Sequence, residues 1–149
     1  MPRKTDNESA ALAASMVALV RSFGLHRPHE TPCGRPIPVA EAHALMDLAK
    51  AGPMNQGELA LRLRLEKSTV SRLVRQLEKR GWIRRGGHAQ DRRVVLLRLT
   101  AAGARAASRL ATARSVKFDR LLDGIPEAKR ARVLDALGIL VDALRDRPG

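Results

Sequence analysis

Residues 59–100 read LALRLRLEKSTVSRLVRQLEKRGWIRRGGHAQDRRVVLLRLT, from Leu59 to Thr100. Just upstream, Asn55 supplies an N-cap oxygen, and Glu58 stands three residues on at capping-box spacing, so a helix starts there and runs to about Leu63. After a tight turn at Arg64 and Leu65, Glu66 or Lys67 opens a longer helix. It stops at Gly81, where a left-handed end residue is wanted. Val70, Leu73, Val74 and Leu77 recur at helical spacing and give this helix one buried face. The opposite face carries Lys67, Ser68, Thr69, Ser71, Arg72 and Arg75, side chains that hydrogen-bond base edges or phosphates. Trp82 and Ile83 begin a strand, Gly86 and Gly87 permit a turn, and Val94 to Leu99 form a second strand rich in branched apolar residues. The segment is therefore two short helices followed by a basic hairpin.

Charge follows the same segment. The whole chain carries 28 Lys and Arg against 15 Asp and Glu, a net charge of +13. From Arg62 to Arg93 there are 11 Lys and Arg against 3 Asp and Glu, so +8 sits in under a quarter of the length. Charge concentrated on one element is the electrostatic footprint of a protein that neutralises phosphates.

Working outward, Leu12, Met16, Leu19, Val20 and Phe23 lie on one stripe of a first helix from about Glu8 to Phe23. Pro28, Pro32, Pro36 and Pro38, with Gly24 and Gly34, exclude helix from Gly24 to Pro38 and predict a long, stiff loop. Helix resumes from Val39 to Lys50, with Ala42, Leu45, Met46 and Ala49 inward, and stops at Ala51-Gly52-Pro53. Beyond the hairpin, Thr100 caps a long helix that breaks near Asp123-Gly124-Ile125-Pro126. A last helix carries Val133, Leu134, Leu137, Leu140, Val141 and Leu144 on a stripe too wide for a solvated helix. The expected fold is mainly α with a small β-wing. A DNA-binding lobe at 54–100 is flanked by helical regions at 8–50 and 101–145, in one subunit spanning 1–149.

Composition excludes several classes. The chain is 44% hydrophobic with two Phe, one Trp and no Tyr, so Leu, Ala and Val must build a helical core. No apolar run approaches the roughly 18 residues needed to span a bilayer, and no secretory pattern opens the chain, which points to the cytoplasm. There is no Gly-rich phosphate loop, GxSxG or HExxH, so no catalytic residue, metal or cofactor is expected.

The ordered set LA…L.L..STVSRLV (Leu59, Ala60, Leu63, Leu65, Ser68 to Val74), LEKRGWI (Leu77 to Ile83), DRR (Asp91 to Arg93) and LT..G (Leu99, Thr100, Gly103) resembles the MarR family of transcriptional regulators. The likeness runs from about Val39 to Leu110. It implies a winged helix-turn-helix flanked by N- and C-terminal dimerisation helices. The implied function is a homodimeric, effector-released repressor on a pseudo-palindromic operator in double-stranded DNA. The alternative from another class is an architectural protein that coats DNA without sequence choice; it needs phosphate contacts only, whereas Ser68, Thr69 and Ser71 add base-edge chemistry.

The resemblance places Ser68, Thr69, Ser71, Arg72 and Arg75 in the major groove and Arg92, near the wing tip, in the minor groove, with Lys67 and Arg85 counted among the DNA contacts. Asn55 and Gln56, at a helix start, are placed to hold a phosphate. Asp91 and Arg93 brace the wing through a salt bridge. Leu12, Met16, Leu19, Val133, Leu137, Leu140 and Leu144 form the subunit interface. Arg64 stands where the family often has a glycine or small residue, and Leu61 where a polar residue is usual, a singly exposed leucine.

What would be sensed stays open on three readings. Cys33, the single cysteine, lies near Arg27 and Arg35, and a neighbouring cation favours the reactive thiolate. Cys33, Glu41 and His43 resemble part of a zinc ligand set, with His26 or His29 needed to complete it. A small aromatic or amphipathic effector in the crevice between the dimerisation helices and the DNA-binding lobe is the third. The plain reading is that these side chains only pack and hydrogen-bond.

Overall fold

The computed structural model describes residues 4–146, with side chains from residue 6 onward. The elements are α1 (Lys4–Phe23), α2 (Val39–Ala51), α3 (Gln56–Leu63), α4 (Lys67–Lys79), β1 (Ile83–Gly87), β2 (Val95–Leu99), α5 (Ala101–Asp123) and α6 (Glu127–Arg145). The chain separates into two compact units, residues 1–113 and 114–149. No described helix is long and apolar enough to cross a membrane.

The first unit holds the core. Leu45, Leu59, Val70, Val74, Leu77 and Leu97 are fully buried, and Ile37, Leu48, Met54, Ile83, Ala106, Ala107 and Leu110 belong to the same cluster. Apart from Ile37 and Met54, which lie just before α2 and α3, these come from α2, α3, α4, both strands and the first half of α5, so one core fixes α4 against the hairpin. Burying a leucine or valine contributes about 1.5–3 kcal/mol. The four apolar positions expected on α4 are its four buried residues. On α2 the phase differs from expectation: Leu48 is buried and Ala49 exposed, because the inward stripe runs through Glu41, Ala42, Ala44, Leu45 and Leu48.

Each boundary has a local cause. Asn55 Oδ1 accepts the Glu58 N–H at 2.8 Å, and Asn55 Nδ2 donates to Glu58 Oε1 at 3.1 Å, which closes the start of α3. α3 ends at Arg64, in the left-handed region with φ 55° and ψ 43°. Such a backbone costs a non-glycine residue about 1–2 kcal/mol. α4 ends in a Schellman pattern: the Gly81 N–H donates to Glu78 O at 2.9 Å and the Trp82 N–H to Leu77 O at 3.0 Å, with Gly81 at φ 73°.

β1 and β2 pair antiparallel, with Ile83 opposite Leu99, Arg84 opposite Arg98 and Arg85 opposite Leu97. Met54 bridges to Leu97 in both directions, at 3.3 and 2.8 Å, joining the hairpin to the segment before α3. Gly86 and Gly87 are not the turn: they pair with Leu96 and Val95 inside the ladder. The chain reverses over residues 88–94, where His88 N–H donates to Val94 O at 3.0 Å and Val94 N–H to Asp91 O at 3.2 Å. At the wing base, Thr100 Oγ1 donates to Gly81 O and accepts from Gly103 N–H at 3.0 Å, so one hydroxyl caps α5 and ties it to the end of α4. A Cβ on Gly103 would stand 1.9 Å from Trp82 O, so only glycine permits this approach.

The second unit comprises the end of α5 and α6. α6 has no buried residue. Leu134, Leu137, Ile139, Val141 and Leu144 are exposed on it, and Val133 and Leu140 half-buried. A helix without tertiary cover has little support from propensity alone.

Candidate nucleic-acid interface

α4 is the element that carries the site. With its apolar face sealed into the core, Lys67, Ser68, Arg72 and Arg75 are left exposed and Thr69 and Ser71 half-buried, all on the outward side. Two guanidinium groups, an ammonium and three short hydroxyls on one face combine phosphate neutralisation with donors and acceptors for base edges. No acidic side chain lies in the first turn of α4, and none of Lys67, Arg72 and Arg75 has an ion-pair partner among the described residues.

The wing tip presents a second cationic group. Arg92 is exposed within the 88–94 turn. Asp91 braces that turn through the backbone: its Oδ1 accepts the Arg93 N–H at 3.0 Å, in place of the expected salt bridge to the guanidinium. The reason is geometric, since an aspartate reaches the N–H two residues on without leaving the turn. Arg85, expected to contact DNA, donates from Nε to Glu78 Oε1 at 2.7 Å and so ties β1 to α4, while its side chain stays part-exposed. Asn55 is engaged at both ends of its side chain by Glu58, so it acts as a cap, while Gln56 is half-buried in the first turn of α3.

Sequence reasoning missed a polar cluster behind the wing. Glu41, buried to 6% exposure, accepts from Arg80 Nε at 3.3 Å, and the Arg80 guanidinium stacks 5.1 Å from the Trp82 ring centroid. A buried carboxylate needs such a partner. Its only sequence signal is an acid on the inward stripe of α2. Glu41 is thus committed to Arg80, and no group of three or more potential metal ligands exists among the described residues. Cys33 is half-buried with Sγ 2.9 Å from Thr31 Oγ1, inside a turn closed by Thr31 N–H to Arg35 O at 2.9 Å.

Beside the wing base lies an open groove of about 540 Å³ lined by residues that include Leu48, Pro53, Arg84, Arg98, Leu99, Ala107 and Ser108. The two arginines stand directly opposite each other across the strand pair. Like charges in that position repel.

Residues 37–95 match the model of the MarR family. Over that stretch the chain resembles the MarR family. The matched range takes in α2, α3, α4, β1 and the wing tip, which are the elements that build the surface described above. An uncharacterised HTH-type transcriptional regulator of Mycobacterium leprae is 25% identical over 137 residues, covering 92% of each chain. The fold is similar to that of FabT from Streptococcus pneumoniae, solved in complex with DNA, with TM-score 0.70, 24% identity and coverage of 96% of this chain and 97% of that one. A probable transcriptional regulator from Pseudomonas aeruginosa gives TM-score 0.68 at 24% identity, covering 85% of this chain and 93% of that one. These likenesses show a winged helix-turn-helix fold.

Proposed function

We propose that this protein is a MarR-type, sequence-specific DNA-binding transcriptional regulator, a repressor that binds a pseudo-palindromic operator as a homodimer. The observation that carries the reading is the division of α4 into a sealed apolar face and an outward face of Lys67, Ser68, Thr69, Ser71, Arg72 and Arg75. α4 enters the major groove, and the wing brings Arg92 to the flanking minor groove. The exposed apolar residues Leu12, Met16 and Leu19 of α1 and Leu137 and Leu144 of α6, with half-buried Val133 and Leu140, supply the dimer interface. Two-fold symmetry then sets two copies of α4 on successive half-sites.

The open groove at the wing base is the candidate seat of an effector that releases the dimer from DNA. Opposed, unneutralised Arg84 and Arg98 at an apolar recess favour a small amphipathic anion. Thiol sensing through Cys33 forms no part of this reading.

The test is a salt-controlled titration of the protein against DNA flanking its own gene and against unrelated DNA. Arg72→Ala is expected to weaken operator binding by roughly 1–3 kcal/mol and to relax sequence preference. Unchanged operator affinity in that variant removes the major-groove assignment. Equal affinity of the wild type for both DNAs is the behaviour of an architectural protein.

A further inference from the structure

We infer that Arg64 is a DNA-backbone contact of this lobe, gripping a phosphate beside the half-site that α4 reads. The inference rests on the DNA-binding role proposed above and adds a residue to it.

Arg64 sits in the turn between α3 and α4 with φ 55°, and it is the sole described non-glycine residue with positive φ. The conformation is held from both sides: the Arg64 N–H reaches Ala60 O and Leu61 O, and the Leu65 N–H donates to Ala60 O at 3.1 Å. A glycine would adopt this backbone at lower cost. An arginine there lowers stability, and its side chain recovers nothing inside the chain, because it is exposed and has no ion-pair partner among the described residues. Its guanidinium is therefore free to meet a partner outside the chain.

Its surroundings indicate what that partner is. Arg64 shares a surface groove of about 410 Å³ with Gly57, Leu61, Glu66 and Lys67. Lys67 is the first residue of α4, so two cations and one carboxylate, a net positive charge, flank one recess at the start of the helix that carries the outward polar face. Leu61, 81% exposed, is an apolar wall of the same groove. A guanidinium forks onto a phosphate through two parallel N–H donors, and such contacts fix position without reading sequence.

The experiment compares the wild type with Arg64→Gly, Arg64→Asn and Arg64→Lys, measuring thermal midpoints and affinity for operator and unrelated DNA over a range of salt. Glycine and asparagine relax or tolerate the left-handed backbone while removing the charge; lysine keeps the charge. Arg64→Gly is expected to melt at or above the wild-type temperature. It should bind both DNAs more weakly by the same factor, with the slope of log affinity against log salt shallower by about 0.9 for each protomer. Arg64→Asn should lose affinity likewise, and Arg64→Lys should hold most of the slope.

Wild-type affinity and slope in both Arg64→Gly and Arg64→Asn would overturn the assignment, as would an Arg64→Lys variant as impaired as the glycine one. Because a phosphate contact ignores sequence, the variants report on unrelated DNA even if the wild type shows no operator preference. That separates failure of this inference from failure of the regulator reading. A wild type that binds no DNA overturns both.

Discussion

Single residues carry constraints that their letters show unevenly. Asn55 and Glu58 declare their cap by spacing, and the bonds at 2.8 and 3.1 Å follow. Gly103 is visible as part of a motif, but its cause is a contact with Trp82 O, 21 positions away in sequence, which no local pattern encodes. Arg64 is likewise legible as an unusual residue in a turn, while its left-handed backbone is not. Gly103→Ala tests how much the close approach is worth. Alanine raises intrinsic helix propensity by up to about 1 kcal/mol, yet here its methyl must displace a backbone carbonyl. The expected net effect is a loss of roughly 1–3 kcal/mol. Thermal unfolding should register about 2–4 °C for each kcal/mol in a chain of this size. An unchanged or raised midpoint contradicts the contact.

Elements were legible where one periodic face met one core. All four inward residues of α4 could be read from spacing, because helix period and burial agree there. The wing was harder. A Gly-Gly pair is a strong local turn signal, but the reversal at 88–94 rests on Asp91 holding the Arg93 N–H and on the His88 to Val94 bond, so the glycines remain in the strand. Arg85 read as a DNA contact because charge alone does not reveal a partner, and Glu78 lies on another element. Arg92 and Arg93 are both exposed at the wing tip without an ion pair among the described residues, and Arg92 is the one proposed to reach DNA. Arg92→Ala should weaken operator binding by roughly 1 kcal/mol, about fivefold, with the thermal midpoint nearly unchanged because surface substitutions usually fall within about 0.5 kcal/mol. Unaltered binding in a salt-controlled titration would mean that the wing is structural only.

At the scale of the whole molecule, exposed apolar surface is the informative quantity. The apolar stripes of α1 and α6 were plain in the sequence; their exposure in a single chain is what turns them into an argument for a second copy. Leu137→Glu should therefore give monomers or unfolded chain, by setting an unpaired charge in an apolar interface. Light scattering on the wild type at micromolar concentration should give a dimer mass, and a monomer mass would contradict the interface.

The bare surface of α6 also bears on how the protein fares at low copy number. In the proposed dimer, α6, which has no fully buried residue in the single chain, would draw part of its stability from mass action, so its melting would depend on protein concentration. Chains that have not met a partner would then expose Leu134, Ile139 and Leu144 to proteases. The pool of operator-competent protein would fall faster than synthesis does, and dilution would thin it more than proportionally.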